Sequence, residues 1–223
     1  MSEDELRALL LDQLTESRRA RFEEVLSYRT RHLTVVLENL LQPHNASAIL
    51  RNCDCFGIQD VHIIENDKVF NPAEEIARGA QKWVTQKRYN KLNNNTGVCI
   101  QALRADGYRI VAATPHANDI EISDLNLDDR TAIVFGSEWP GLSEEVMTEA
   151  DQHIRIPMYG FTESFNVSVS VALTLYDLSR KLHSSNLSWN LSEKEKNDLR
   201  LEWAAESARS GIEILEAWKM AQK

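Results

Sequence analysis

The sequence predicts an α/β protein in which a largely parallel β-sheet is covered by helices on both faces. Short apolar segments rich in Val, Ile and Leu alternate with amphipathic segments along the middle of the 223-residue chain. Strands that are apolar throughout are typical of parallel sheets with both faces buried. The segments on either side of this region have helical spacing, so short helical extensions are expected at both ends.

Each element is predicted from a local pattern. Ser2 and Glu5 have the spacing of a capping box, which predicts the first of two helices between residues 2 and 28. The first strand is LTVVLENL at residues 33–40. Later strands are predicted at 60–65, 108–114, 131–136 and 153–157, and helices at 44–57, 95–106, 143–150 and 166–183.

The C-terminal segment is predicted to be helical. Ser192 and Glu195 repeat the capping-box spacing, and Gly211 is expected to break or kink the helix that follows. We therefore divide the chain into three parts. They are an N-terminal helical extension (1–31), an α/β domain (32–184) and a C-terminal helical extension (185–223).

Basic residues are concentrated in two segments, although the formal net charge of the chain is −9. This total argues against broad nonspecific nucleic-acid binding, which depends on clustered Lys and Arg. Residues 78–91 contain no acid, however, and basic segments of this kind favour one face that contacts nucleic acid. The cations are Arg78, Lys82, Lys87, Arg88 and Lys91, with Arg18, Arg19, Arg21, Arg29 and Arg31 near the N-terminus. Trp83 and Tyr89 are available for base stacking, but two solvated helix faces would explain the charges equally well.

Neither a membrane span nor a secretory signal is predicted. No run of about 18 apolar residues occurs, and the first residues are acidic, so a cytoplasmic protein is expected. Cys53, Cys55 and Cys99 form no CxxC pair, and we interpret them as small buried apolar residues. The histidines lack metal-ligand spacing, so no metal site is expected.

Three segments contain the candidate site residues, and the first is HNASAILRNCDCFG at residues 44–57. Its apolar positions predict a buried helix face, with Asn45 at the helix start. Ser47 and Arg51 lie one turn apart on another face. Because exposed helical arginines are usually solvated or paired, here with Asp54, Arg51 taken alone does not indicate a function.

The second segment is GSEWPG at residues 136–141. It does not have the GxSxG spacing of a nucleophile elbow, and the chain also lacks GxGxxG and P-loop motifs. The segment follows the strand TAIVF, and α/β folds bind ligands at the carboxyl ends of strands. Gly136 and Gly141 would let backbone amides approach a ligand, although a tight turn with structural glycines also accounts for them.

The third segment is SFN at residues 164–166, where the last large helix of the α/β domain is predicted to begin. Val167, Val171 and Leu175 give that helix a core face. Asn166 is suited to cap the helix, a role worth about 1 kcal/mol that would by itself explain the residue.

Taken together and in this order, the three motifs resemble those of the SPOUT superfamily, and more narrowly those of the TrmH family of RNA ribose 2′-O-methyltransferases. The resemblance covers residues 33–181. The chain differs from the family at Phe165, where leucine is usual. This exchange changes the shape of the expected methyl-donor pocket more than its chemistry.

The resemblance implies a deep trefoil knot in the C-terminal half of the sheet domain, a homodimer, and S-adenosylmethionine as methyl donor without a metal. The implied catalytic residues are Arg51, Asn45, Glu138, Ser164 and Asn166. The implied donor-binding residues are Thr114, Gly136, Ile156, Met158 and Phe165. A guanidinium keeps its proton at neutral pH, so we expect Arg51 to bind the neighbouring phosphate and orient the ribose hydroxyl.

Within this family, short helical extensions resemble those of the enzymes that methylate guanosine 18 in the D-loop of tRNA. The tRNA backbone would then contact Arg18, Arg19, Arg21, Arg29, Lys82, Lys87 and Arg88. Three alternatives stay open: a ribose in ribosomal RNA or the anticodon loop, a non-catalytic RNA-binding module of the same fold, and a structural protein without an RNA partner.

Overall fold

The computed structural model describes residues 1–40, 42–73, 77, 79–115 and 120–222. The chain forms two compact units. The larger unit is Thr30–Trp189, and the smaller, terminal unit combines Met1–Arg29 with Asn190–Lys223. The helical segments at the two ends of the chain therefore belong to the same unit.

Most helices and strands lie close to their predicted positions, whereas the strands Thr85–Tyr89 (β3) and Ile120–Glu121 (β5) were not predicted. The helices are α1 (Glu3–Asp12), α2 (Glu16–Leu26), α3 (Pro43–Cys55), α4 (Asn95–Ala105), α5 (Glu144–Glu149), α6 (Val167–His183), α7 (Glu193–Ser207) and α8 (Gly211–Ala221). The strands are β1 (Leu33–Glu38), β2 (Asp60–Ile64), β3 (Thr85–Tyr89), β4 (Arg109–Ala113), β5 (Ile120–Glu121), β6 (Thr131–Phe135) and β7 (Gln152–Arg155). Within the described residues, none of the helices is long and apolar enough to cross a membrane.

The larger unit is built on a parallel sheet, which confirms the predicted fold class. Its seven strands, counted over the described residues, run in the order β3-β2-β1-β6-β4-β7-β5. Phe135, at the end of β6, pairs with Leu37 of β1 on one side and with Ala113 of β4 on the other. Since the strands are parallel, the loops that follow β4, β6 and β7 all leave the sheet at the same edge.

Helices cover both faces of the sheet. On one face, α3 and α6 pack against strand residues such as Val35 and Ile133. On the other face, α4 and α5 pack against Val36, Val134 and their neighbours. Adjacent strand residues thus point into different cores, which is why the strands had to be apolar at every position.

The terminal unit has its own apolar core. Leu6 and Leu10 are fully buried, and Phe22 packs edge-to-face on Trp203 with ring centroids 5.6 Å apart. Capping boxes begin α1 at Ser2 and α7 at Ser192, as predicted. The predicted break at Gly211 is also confirmed: α8 begins there, and a Cβ atom on this residue would lie 2.3 Å from the Ala205 carbonyl oxygen.

The structure corrects two expectations. The basic segment is not a solvated helix, because residues 85–89 form β3 at the edge of the sheet and pair with β2. An edge strand needs little apolar sequence, so its pattern gave no strand signal. Cys55 is exposed, whereas Cys53 and Cys99 are buried as predicted.

Candidate active site

A cavity of about 320 Å³ lies at the sheet edge where β4, β6 and β7 end. Its walls come from residues 113–115, from the loop 135–142 and from parts of 154–174. All the residues predicted to bind a methyl donor contribute to these walls: Thr114, Gly136, Ile156, Met158 and Phe165. Two of the predicted catalytic residues, Glu138 and Ser164, also line the cavity.

The loop after β6 folds back on its own first residue. A Cβ atom at Gly136 would lie 2.3 Å from the carbonyl carbon of Gly141 and 2.5 Å from the nitrogen of Leu142. Only glycine leaves room for such a backbone contact. Gly141 has a φ of 94°, in the left-handed region that favours glycine. The two glycines therefore allow the tight turn, and the closed loop forms one wall of the cavity.

Asn45, Glu138 and Asn166, one from each motif, are joined by hydrogen bonds. The side-chain amides of Asn45 and Asn166 both donate to Glu138 Oε1, each at 2.9 Å. Asn166 Nδ2 also donates to Asn45 Oδ1 at 3.1 Å. Asn45 and Asn166, which are 121 positions apart in the chain, thus hold one carboxylate that lines the cavity.

Asn166 also caps α6, so the capping explanation holds alongside the contact with Glu138. Its Oδ1 accepts from the backbone nitrogen of Ser168 at 2.9 Å and from the Ser168 hydroxyl at 2.6 Å. One side chain therefore uses its oxygen to begin the helix and its nitrogen to hold Glu138.

Arg51 is exposed on α3, a helix that packs against α6. Asn52 Nδ2 donates to the Ser168 carbonyl oxygen at 3.0 Å, and Phe56 contacts Tyr176 edge-to-face. Among the residues that the structure describes, Arg51 has neither a hydrogen bond nor an ion pair, so the alternative of pairing with Asp54 is not realised. Arg51 does not line the cavity. Its guanidinium is free to bind an anion brought to this surface.

The predicted RNA-contacting residues of the terminal unit differ in their accessibility. Arg18, Arg19 and Arg21 are exposed, and Arg21 pairs with Glu24 at 2.7 Å. Arg29 is only 1% exposed, and its guanidinium lies over the Trp203 ring, 5.4 Å from its centroid. This burial is incompatible with the predicted contact to an RNA phosphate, because the charge is covered by the core of the unit.

The basic residues of the larger unit are partly engaged with acids. Lys87 Nζ lies 2.9 Å from a carboxylate oxygen of the buried Asp60, and Arg88 lies 3.8 Å from Glu65. Lys82 is exposed, whereas Arg78 is outside the described residues. Tyr89 is partly buried; its ring stacks on His62 and its hydroxyl lies 3.0 Å from His62 Nδ1, so one face of the ring is already occupied.

Glu38 and Thr174 are among the residues at the site that were not predicted from the sequence. Glu38, at the end of β1, is buried and accepts hydrogen bonds from the backbone and hydroxyl of Ser143, where the loop 136–143 ends. Thr174 lines the cavity from α6. An acid that ends an apolar strand was a usable signal for Glu38, whereas nothing in the spacing distinguished Thr174 from the core face of its helix. Within the described residues, no group of three His, Cys, Asp or Glu side chains is placed to hold a metal ion.

Fold and site together define an α/β protein with a cavity at the carboxyl edge of a parallel sheet and a polar network beside it. Residues 32–176 match the SpoU rRNA Methylase family. The chain is 41% identical over 192 residues to a tRNA (guanosine(18)-2′-O)-methyltransferase from Borreliella burgdorferi, and the match covers 85% of each chain.

Solved structures show the same fold. The TrmH/SpoU tRNA modifying enzyme of A. aeolicus is 32% identical with a TM-score of 0.76, and the match covers 86% of this chain and 97% of that one. The SpoU methyltransferase AviRb of Streptomyces viridochromogenes, solved with AdoMet, is 24% identical with a TM-score of 0.60, over 70% and 63% of the two chains. The chain belongs to the SpoU methylase family, which confirms the resemblance inferred from the three motifs.

Proposed function

We propose that this chain transfers a methyl group from S-adenosylmethionine to the ribose 2′-oxygen of guanosine 18 in tRNA. One observation carries the proposal: Asn45, Glu138 and Asn166 converge beside a cavity lined by all the residues predicted to bind the donor. The name of the Borreliella relative, which the chain matches over most of its length, supports the reaction and the target.

The cavity suits an adenosine-like methyl donor. Its walls are mainly apolar with a few polar side chains, the usual composition of a small-molecule or cofactor site. Thr174 contributes a buried hydroxyl without a hydrogen-bond partner among the described residues. The donor supplies a methyl group already activated by its sulfonium, so the task left to the protein is alignment of the acceptor.

Arg51 and the carboxylate network would align the target nucleotide. The unpaired guanidinium of Arg51 binds a backbone phosphate in bidentate geometry and so fixes the adjacent ribose. As the 2′-oxygen gains the methyl group it loses its proton, which passes either to a phosphate oxygen held by Arg51 or to a transiently neutral guanidine of Arg51. Glu138, held by two amides, receives a hydrogen bond from the target nucleotide, while Ser164 shapes the mouth of the cavity.

The proposal includes a homodimer, in which a second copy covers the outer face of α6. Val169, Leu173 and Tyr176 recur there at helical spacing and are exposed in the single chain, which favours an apolar contact. By family relationship, the chain segments after β6 and β7 form a trefoil knot around the donor. The terminal unit, through Arg18, Arg19 and Arg21, binds tRNA, and the enzyme acts in the cytoplasm, where its substrate is.

Transfer of labelled methyl groups tests the proposal. The full-length protein is incubated with labelled S-adenosylmethionine and unmodified tRNA, and the labelled nucleotide is mapped. We expect label at guanosine 18, and none on a tRNA that carries a 2′-deoxyribose at this position. Transfer only to ribosomal RNA would refute the target, and donor binding without transfer to any RNA would refute the activity.

A further inference from the structure

Thr174 places a single hydroxyl deep in the wall of the cavity. It lies on α6, on the same face as Val167 and Ser170, which also line the cavity. The residue is 1% exposed, and its Oγ1 has no hydrogen-bond partner within the part of the chain that the structure describes. A threonine in a helix commonly bonds to the carbonyl four residues earlier, here that of Ser170, and Thr174 does not.

An unpartnered buried hydroxyl destabilises a folded protein, and a cavity residue is the place where a ligand can supply the missing partner. Thr174 is eight positions after Asn166, or about 12 Å along the helix. In the proposed function, the methyl acceptor arrives at Glu138, which lines the cavity and is held by Asn166. Thr174 therefore contacts a part of the ligand remote from the transferred methyl group.

The chemistry of the cavity indicates which part of the ligand Thr174 contacts. Its charged lining residues are Glu138 and Arg155, and Arg155 lies 3.7 Å from Glu121 in an ion pair. Most of the remaining wall is apolar, with residues such as Ala113, Ile154 and Phe135. A charged amino-acid group would be costly there, whereas a neutral heteroaromatic ring buries its faces and offers its edge for hydrogen bonding.

Building on the proposed function, we infer that Thr174 Oγ1 hydrogen-bonds to the edge of the adenine ring of the methyl donor. Thr174 is then a binding residue of the donor site that the three motifs do not contain. The hydroxyl can donate to a ring nitrogen or accept from the exocyclic amine. The unpaired hydroxyl destabilises the ligand-free protein, whereas in the complex it is hydrogen-bonded to the donor.

Replacing Thr174 by residues of similar shape tests this inference. Loss of the hydroxyl should raise the stability of the free protein but weaken its binding of S-adenosylmethionine. Thr174→Val keeps the shape and removes the hydroxyl, and Thr174→Ser keeps the hydroxyl. Without ligand, we expect Thr174→Val to unfold at a higher temperature than the wild type, because an unsatisfied polar group is gone. In calorimetric titrations with S-adenosylmethionine, we expect Thr174→Val to bind about tenfold more weakly and Thr174→Ser to stay within about threefold of the wild type.

Titration with 5′-methylthioadenosine, which lacks the amino-acid part of S-adenosylmethionine, tests whether Thr174 contacts the adenine ring. The same loss of about tenfold for Thr174→Val is expected, because the adenine ring is retained. A loss confined to S-adenosylmethionine would overturn the assignment to adenine. Unchanged or tighter binding by Thr174→Val would overturn the contact itself while leaving the proposed function intact. Failure of the wild type to bind S-adenosylmethionine would refute the proposed function and, with it, this inference.

Discussion

Asn166 combines two roles that a sequence pattern cannot separate. Its oxygen caps α6 through Ser168, and its nitrogen donates to Glu138 and Asn45. The cap alone would tolerate any of several residues, including aspartate, which is as good a capping residue as asparagine. The contact with Glu138 requires a donor, which only the amide provides.

Asn166→Asp separates these roles. The carboxylate still accepts from the Ser168 nitrogen and favours the positive end of the helix, so we expect the free energy of unfolding to stay within about 1 kcal/mol. Two donors are lost, and a second carboxylate is placed beside Glu138. We therefore expect single-turnover methyl transfer to slow by at least about tenfold. Full activity at unchanged stability would limit Asn166 to capping.

Arg51 is expected to affect activity without affecting stability. Because it is exposed and unpaired within the described residues, Arg51→Ala should change the free energy of unfolding by no more than about 0.5 kcal/mol. Loss of phosphate binding should reduce methyl transfer by about a hundredfold or more. Arg51→Lys keeps the positive charge but removes the bidentate geometry of the guanidinium, and we expect its methyl transfer to be nearly as slow as that of Arg51→Ala. Wild-type activity for the lysine variant would contradict bidentate binding.

At the scale of elements, the loop 136–143 is held at both ends by β1 and its neighbours. It leaves β6, which pairs with β1, and it ends at Ser143, whose backbone nitrogen and hydroxyl both donate to the buried carboxylate of Glu38 at 2.8 Å. Thr96 of α4 donates to the same carboxylate at 2.7 Å. The position of Glu138 therefore depends on the sheet and on both helix layers.

Gly136→Ala should disrupt this loop. The new Cβ atom would overlap the backbone at Gly141 and Leu142, which cannot move away as a flexible side chain could. We expect a loss of about 2–3 kcal/mol in the free energy of unfolding, with weaker donor binding. Gly160→Ala is a matched control, because its Cβ atom would meet nothing closer than the Thr162 hydroxyl at 3.9 Å, and its effect should be within about 0.5 kcal/mol. Equal effects of the two changes would contradict the role of loop closure.

Elements with strong patterns were predictable, whereas some elements and contacts depend on tertiary structure. The apolar strands β1, β2, β4 and β6 follow from local sequence, as do the capping boxes. β3 was missed because an edge strand made of TQKRY carries no apolar run. The burial of Arg29 could not be predicted either, since it results from packing against Trp203, more than 170 positions away in the sequence.

At the scale of the whole molecule, parallel strand order explains why motifs far apart in sequence form one site. The carboxyl ends of β4, β6 and β7 lie side by side, so residues following each strand reach the same cavity. The five residues predicted by resemblance to bind the donor all line the cavity. The sequence could not give the hydrogen bonds among Asn45, Glu138 and Asn166, which depend on how α3 and α6 pack. The same packing leaves Arg51 exposed outside the cavity wall.

The stability of the larger unit should decrease in mild acid because of His62. Burial, together with the nearby charge of Lys87, lowers the pKa of this histidine from 6.5 to about 4. Between these values the unfolded chain binds a proton that the folded chain does not, so stability rises with pH and is lost as the pH falls from about 6.5 towards 4. At about 1.4 kcal/mol per pH unit, protonation of His62 in the unfolded chain should lower the free energy of unfolding by about 2 kcal/mol between pH 7 and pH 5.

His62→Phe removes the titrating group and keeps an aromatic ring against Tyr89. The measurement is the free energy of unfolding in urea at pH 7 and pH 5 for the wild type and the variant. The carboxylates lose their contributions equally in the two proteins, so the difference between the two decreases is due to His62. We expect the decrease between the two pH values to be smaller by about 2 kcal/mol in the variant, whatever its absolute stability. Equal decreases would mean that His62 is protonated in the folded protein at pH 5, despite its burial in β2 against the ring of Tyr89.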